Sequence, residues 1–133
     1  MLTLLNVRDQ STASLGKTEH MFNVRVSGES LRVRELIRSR VFQEAREYNR
    51  HKPEFFHSLV QPRDAECTRY GFRMAQPRDI DPQAQYEKAI QAFEGNGYVV
   101  LVDDRQVENL DETLELRPDT AVTFVRLVPL AGG

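Results

Sequence analysis

Two glycines, Gly132 and Gly133, stand in a short tail that directly follows a segment with the pattern of a β-strand. Residues 121–128 alternate in that segment, with Val122 and Phe124 on one face. We therefore expect the residues that follow to project from a rigid body. A glycine pair has no side chains and can enter a narrow channel in which any Cβ atom would clash. The carboxylate of Gly133 becomes reactive only when activated, and adenylation by a nucleotide-dependent enzyme would let a thiolate or sulfide attack it.

The other reactive side chains do not form a recognisable catalytic or metal-binding set. His51, His57 and Cys67 lie close in sequence, but a metal site needs tighter paired spacings and a fourth ligand. Cys67 beside a histidine would make a thiol nucleophile, yet no local motif accompanies it. The carboxylate pairs at 103–104 and 111–112 suit acidic turns better than general acid–base catalysis. With no glycine-rich phosphate loop present, we expect no enzyme activity, no metal and no bound cofactor.

The composition is that of an ordinary globular chain. The chain has 133 residues, a net charge of −2 and 40% hydrophobic residues, which argues against a nucleic-acid-binding surface. A single cysteine, Cys67, forms no internal disulfide and fits a reducing compartment. The opening residues MLTLLNVRDQ are apolar too briefly for a signal peptide, and no run approaches the length of a membrane span. We expect one cytoplasmic domain that binds neither membranes nor nucleic acids.

The first half of the chain predicts a β-hairpin followed by a helix. Residues 2–7 and 20–26 have strand patterns, and a polar loop joins them. After Ser30, which we expect to be the N-cap, apolar residues recur at spacings of three and four. These residues are Leu31 or Val33, Leu36, Ile37, Val41, Ala45 and Tyr48. Arginines occupy the remaining positions, where we expect a solvated face or, as the alternative, a docking surface for an acidic partner. They are Arg32, Arg34, Arg38, Arg40, Arg46 and Arg50.

The second half predicts a less regular segment, a second helix and three more strands. Phe55, Phe56, Leu59 and Val60 indicate a short buried helix or turn, and residues 68–74 alternate like an extra strand. Asp81-Pro82 is typical of a helix start, and Gly95-Asn96-Gly97 of a helix end. Residues 98–102 suit a central strand, residues 103–104 a tight turn into a short strand, and residues 121–128 the last strand. This order predicts an α+β fold whose last strand returns to the middle of a mixed sheet packed on the first helix.

Residues 97–133, GYVVLVDDRQVENLDETLELRPDTAVTFVRLVPLAGG, resemble the C-terminal half of ubiquitin-like β-grasp proteins. Their layout is closest to that of the prokaryotic sulfur carriers of thiamine and molybdopterin synthesis. VTFVRLVPLAGG is also similar to the last strand and tail of ubiquitin, and MFNVRVSGESLRVRELIRSRV is similar to the family's second strand and long helix. The resemblance covers residues 1–50 and 97–133. It implies one β-grasp domain over residues 1–133, with an inserted helical segment at 51–96, between the main helix and the third strand, and a flexible tail at 129–133.

The resemblance also implies roles for the last five residues. Gly133 supplies the carboxylate that is activated, and Gly132 lets the tail enter the activating enzyme. Pro129, Leu130 and Ala131 match the tail positions that such an enzyme reads. Their apolar character is nearer to the sulfur carriers than to ubiquitin, whose tail is basic. In this family the partner activating enzyme uses ATP, so the chain itself is expected to bind no cofactor.

Two functions follow from the resemblance. The first is a bacterial ubiquitin-like modifier, which is passed to enzyme thiols and joined to an amine of a target protein. Such proteins occur in bacterial operons with a ubiquitin-activating-like enzyme, a ubiquitin-conjugating-like enzyme and a metal-dependent deconjugating protease of the JAB type, and some of these operons act in defence against phage. The second is a sulfur carrier that forms a thiocarboxylate at Gly133. The insertion favours the first, because sulfur carriers resemble a bare β-grasp domain and added surface suits specific recognition.

A docking patch is predicted on the sheet as well as in the tail. One face of the strand at 98–102 must pack on the helix, so Leu101 is expected on the other face with Val125 and Leu127. Apolar residues left exposed there would form a docking surface. The alternative is that residues 51–96 cover this face.

Overall fold

The computed structural model describes residues 2–14 and 17–128. The strands are β1 (Leu2–Ser11), β2 (His20–Ser27), β3 (Ser30–Arg32), β4 (Ala65–Thr68), β5 (Gly71–Met74), β6 (Tyr98–Val102), β7 (Arg105–Val107), β8 (Thr113–Glu115) and β9 (Ala121–Arg126). The helices are α1 (Val33–His51) and α2 (Pro82–Glu94), with one turn of 3₁₀ helix at Thr12–Ser14. The fold is therefore α+β, as the sequence predicts.

Five strands form a mixed sheet in the order β2-β1-β9-β6-β7. β9 runs parallel to β1, with Val7 opposite Val122, and antiparallel to β6, with Val100 opposite Phe124. The other pairs in this sheet are antiparallel. The prediction that the last strand lies in the middle of a mixed sheet is confirmed.

Helix α1 packs on one face of this sheet because its apolar residues recur at helical spacing. Leu36, Ile37 and Val41 are at most 3% exposed and join the sheet residues Val100 and Val122 in the core. Burying each such side chain favours folding by roughly 1.5–3 kcal/mol. We call the sheet face that meets α1 the inner face and the opposite one the outer face.

The start of α1 differs from the prediction. Ser30 is not the N-cap, because residues 30–32 form β3 and pair with β8, with Leu31 opposite Leu114. The helix begins at Val33, and the carboxylate of Glu35 accepts a hydrogen bond from the backbone N–H of Arg32. Strand pairing with a segment more than 80 residues away along the chain thus overrides the local capping signal.

Arg40 corrects the prediction of a solvated arginine face on α1. It is 1% exposed, and its guanidinium donates to both carboxylate oxygens of Asp9 at 2.7 Å and to Glu44 at 3.2 Å. The rings of Phe22 and Phe124 lie 4.6 Å from the guanidinium carbon. Burial disfavours the charged guanidinium, but the carboxylates of Glu44 and Asp9 outweigh burial and raise the pKa of Arg40. The buried charge of Arg40 is thus paired with carboxylates on both β1 and α1.

Residues 52–97 pack against α1. Residues 55–60 form no helix; instead Phe56 bridges to Phe72 of the β4–β5 hairpin, whose two strands replace the single extra strand predicted at 68–74. Met74 and Ile80 then complete a second small core with Ala45 and Tyr48 of α1.

Helix α2 follows the prediction closely. The side chain of Asp81 accepts a hydrogen bond from the backbone N–H of Gln83, Pro82 is the first helical residue, and Gly95 ends the helix. The turn between β6 and β7 is also as predicted, since Asp103 and Asp104 adopt φ values of 49° and 68°. Two successive residues with positive φ are typical of the tight hairpin turn that matches strand twist.

Neither α1 nor α2 is long and apolar enough to cross a membrane, and these are the two α-helices of the described chain.

Candidate functional site

The predicted docking residues lie together on the outer face of the sheet. Leu101 pairs with Thr123 across the β6–β9 ladder, and Val125 is two positions further along β9 on the same face. Both side chains are half-buried. Leu127 lies just beyond β9 and is 37% exposed. The alternation of the two strands therefore places Leu101 and Val125 on the predicted face, whereas the last strand ends at Arg126 and not at Val128, so that Leu127 lies outside it.

The outer face continues as an open surface onto β1 and β2. Leu4 of β1 is 60% exposed and Met21 of β2 is 58% exposed. Arg8 lies between Met21 and Thr123 in the sheet register and so connects the two regions. Apolar side chains are thus exposed on β1 and β2, whereas at the centre of the outer face Thr123 is buried and Leu101 and Val125 are half-buried.

Residues 52–97 do not lie on this outer face within the described chain. Ala89 and Tyr86 of α2 pack into the main core beside Tyr98, which points to the inner face. The backbone N–H of Leu59 donates to Glu44 of α1 at 3.0 Å, and Asn49 of α1 exchanges two hydrogen bonds with the backbone of Ile80. The described part of this segment therefore packs against α1 and the inner side.

The end of β9 is fixed in place before the tail begins. The backbone N–H of Leu127 donates to the carbonyl of Gly97 at 3.0 Å. The backbone N–H of Val128 donates to Oγ1 of Thr12 at 2.9 Å, and the Thr12 hydroxyl donates to the Val128 carbonyl at 3.4 Å. The path of the chain is thus set up to Val128. The predicted tail residues, which are Pro129, Leu130, Ala131, Gly132 and Gly133, lie outside the described residues.

A cavity of about 360 Å³ lies beside the end of β9. Arg126 and Phe124 of β9 line one side of it, and Cys67 and Phe72 of the β4–β5 hairpin line another. At its mouth Arg126 lies 3.7 Å from the carboxylate of Glu19. The cavity is therefore built jointly by the sheet and by residues 52–97.

Two histidines stack at the wall of this cavity. The ring centroids of His20 and His57 are 4.0 Å apart, and His20 also stacks on Phe22. Burial and the neighbouring His57 lower the pKa of His20, while Asp9 opposes that shift. His20 is thus held neutral near pH 7, which suits a packing contact between β2 and the loop before β4.

Of the residues considered for a metal site or a thiol nucleophile, His57 and Cys67 line this cavity and His51 does not. In residues 2–14 and 17–128, no three His, Cys, Asp or Glu side chains are positioned to hold a metal ion. His57 faces His20, His51 is exposed at the end of α1, and Cys67 is exposed on β4.

The acidic pairs serve turns and surface ion pairs. Asp103 accepts a hydrogen bond from the backbone N–H of Ala121 at 3.0 Å. Asp111 binds Arg34 at 2.8 Å, and this bond lowers the pKa of the Asp111 carboxyl. Glu112 binds Arg105 at 2.6 Å. Each of these three carboxylates therefore has a partner that stabilises a turn or a surface contact.

The Arg40 cluster and the cavity are features that sequence reasoning missed. One signal for Arg40 was present, since position 40 lies among the buried positions 36, 37 and 41 of α1. The partner that makes its burial possible, Asp9, is 31 residues away and alternates like any strand residue. The cavity depends on how the β4–β5 hairpin folds back, which no local pattern specifies.

Comparison of the chain with models of protein families, with curated proteins and with solved structures gave no match.

Proposed function

We propose that this chain is a β-grasp protein of the ubiquitin-like class, with residues 51–96 as an insertion, and that it acts as a protein modifier. The observation that carries the proposal is the position of β9. This strand lies in the middle of the sheet, parallel to β1, and its end at Val128 is held by Thr12. A hairpin, a long helix across the sheet and a central last strand are the elements that the resemblance to ubiquitin-like proteins implies.

The proposed chemistry takes place at the Gly133 carboxylate. The carboxylate attacks the α-phosphate of ATP on an activating enzyme, which releases pyrophosphate and leaves an acyl-adenylate. An enzyme thiolate then attacks the acyl carbon and displaces AMP to form a thioester. A lysine amine of the target attacks the thioester, the thiol leaves, and an isopeptide bond to Gly133 remains. Gly132 and Gly133 suit these steps because neither carries a Cβ that would block entry to the enzyme channel.

The outer face is the proposed docking surface for these enzymes. Leu127 and Val125 are its apolar residues at the end of β9, and Leu101 lies further back on β6, opposite Thr123. A modifier must be held while its tail is inside the enzyme. An apolar patch near Val128, the last residue whose position is fixed, suits that need. A JAB-type protease that reverses the reaction would need the same tail and body.

The proposal is tested by incubating the purified chain with ATP, a ubiquitin-activating-like enzyme and a ubiquitin-conjugating-like enzyme from the same genome. We expect a thioester that reducing agent removes, then a stable adduct on a protein amine. Deletion of Gly132 and Gly133 should abolish both products. Leu127→Asp should slow thioester formation, whereas Tyr70→Asp, at a 59%-exposed aromatic residue on the β4–β5 turn, should not.

The competing outcome is a sulfur carrier. Replacement of a carboxylate oxygen by sulfur adds about 16 Da to the intact chain, and no target adduct forms. Either that mass gain without conjugation, or no product with enzymes shown to be active, would contradict the proposed modifier function.

A further inference from the structure

A row of arginines with one phenylalanine runs along the solvent side of α1. Arg34, Arg38, Phe42, Arg46 and Arg50 are each four residues apart, and we call them the α1 ridge. At 1.5 Å per residue the ridge is about 24 Å long. It lies away from the core, which α1 meets through Leu36, Ile37, Val41 and their neighbours.

The centre of the ridge is an aromatic ring flanked by two guanidinium groups. The guanidinium carbon of Arg38 lies 4.0 Å from the centroid of the Phe42 ring, and that of Arg46 lies 5.9 Å from it. Both arginines are exposed and Phe42 is half-buried. The ring therefore holds both charged side chains close to itself on the helix surface.

The two central arginines differ from the end ones in their charge balance. Arg34 binds Asp111 at 2.8 Å, and Arg50 lies 3.9 Å from Glu47. In the described chain, neither Arg38 nor Arg46 has a carboxylate oxygen within salt-bridge distance. The ridge thus has two uncompensated positive charges at its centre and a carboxylate near each end.

The ridge also contains like charges that its other contacts have to offset. Arg34–Arg38 and Arg46–Arg50 are like-charge pairs at i, i+4, which destabilise a helix. The core contacts of α1 do not involve these side chains. In the described chain the two central arginines thus have neither a carboxylate partner nor a part in the core packing of α1, which leaves their charges for a partner to compensate.

We propose that the α1 ridge binds an acidic segment of a partner protein, with Phe42 against an apolar side chain and a carboxylate on each of Arg38 and Arg46. Eight residues of helix separate the two arginines, so the carboxylates are about 12 Å apart. This surface lies on α1 and not on the outer face of the sheet, and the inference does not depend on the proposed modifier function.

A protein segment fits the ridge better than a nucleic acid does. The carboxylates of Asp111 and Glu47 at the two ends would repel a phosphate backbone that follows the ridge, and the whole chain carries a net charge of −2. A short acidic segment avoids both ends.

The test uses NMR titration of the ¹⁵N-labelled chain with three probes. The first is a helical peptide with glutamates about 12 Å apart on either side of a leucine. The second is the same peptide with glutamine for glutamate, and the third is a single-stranded oligonucleotide of equal charge. We expect the acidic peptide alone to shift the amides of residues 38–46, with binding that weakens as salt is raised.

Two double variants separate the ridge from general charge attraction. Arg38→Glu with Arg46→Glu should weaken peptide binding at least about tenfold. Arg63→Glu with Arg117→Glu makes the same change in net charge at exposed arginines elsewhere and should leave binding unchanged. If charge reversal disturbs the helix, the milder double variant Arg38→Gln with Arg46→Gln replaces it, with its folding checked by thermal unfolding. It should also weaken peptide binding.

Three results would overturn the inference. These are equal weakening by the two double variants, no shift at residues 38–46 at millimolar peptide, and tighter binding of the oligonucleotide than of the acidic peptide at the ridge.

Discussion

Replacing Arg40 with methionine tests the buried cluster that joins α1 to the sheet. Arg40 is 1% exposed, whereas the side chains of Asp9 and Glu44 are 24% and 15% exposed. Methionine fills most of the volume of the arginine stem but removes the charge. Asp9 and Glu44 would then lie beside an apolar side chain with no cation between them.

The expected loss of stability comes from the two carboxylates that the variant leaves without a cation. Removing one partner of a buried ion pair costs about 3–5 kcal/mol, because the remaining charge keeps its desolvation penalty. We therefore expect Arg40→Met to lower the free energy of unfolding at pH 7 by about 3 kcal/mol or more. Asp9→Asn should cost less, since Arg40 keeps Glu44 as a partner. The measurement is urea unfolding, with Arg50→Met, at an exposed arginine of the same helix, as a control within about 0.5 kcal/mol of the parent chain.

The pH dependence gives this prediction a second, independent readout. Burial raises the pKa of Glu44 above its ordinary value of 4.5, and the charge of Arg40 opposes that shift. Without Arg40 the pKa of the folded state rises further, so the folded variant binds protons that the unfolded chain does not. Its stability then increases as pH falls through that pKa, and its deficit relative to the parent shrinks. A loss below about 1 kcal/mol at pH 7, or a deficit that grows on acidification, would refute the argument.

Three further predictions concern the backbone and His20. Gly71→Ala should destabilise the chain by about 2 kcal/mol or more, because its φ is +118° and an added Cβ would lie 2.7 Å from the Phe56 carbonyl oxygen. Gly28→Ala, at φ +83° with open space, should cost less in the same unfolding assay. Asp104→Gly should raise the free energy of unfolding by about 0.5 kcal/mol, since glycine adopts the positive φ of the β6–β7 turn without strain. Burial and the adjacent histidine lower the pKa of His20 below 6.5, so on acidification the unfolded chain binds a proton at this histidine before the folded chain does. The parent chain therefore loses stability between pH 7.5 and about pH 5.5, and His20→Gln should reduce that loss. An unchanged pH profile would contradict this reading of His20.

Local signals in the sequence predicted those elements whose causes are local. Asp81 and Pro82 start α2 because a side-chain acceptor and a fixed φ suit the first turn of any helix. The alternation in β9 placed Val125 on the outer face because the side-chain period of a strand is two. The same period placed Leu101 on that face of β6.

The predictions that were wrong concern residues whose contacts join distant parts of the chain. Ser30 is a good N-cap by type, but its pairing with Glu115 places it in β3. Arg40 is polar by type, but Asp9 and Glu44 make its burial possible. Phe56 bridges to Phe72 of the β4–β5 hairpin and is not part of a local helix. For the candidate site, the outer-face residues were predictable, and the role of Gly132 and Gly133 stays a prediction.

The central claim is that Gly133 becomes joined to a protein amine, and a peptide map of the conjugate tests it most directly. Trypsin cuts after Arg126, and residues 127–133 contain no lysine or arginine, so a target lysine would keep the seven-residue remnant LVPLAGG. We expect tryptic peptides branched at lysine through Gly133, formed only with ATP and lost when Gly132 and Gly133 are deleted. A tail that carries sulfur at Gly133, or no branched peptide in the presence of active enzymes, would contradict it.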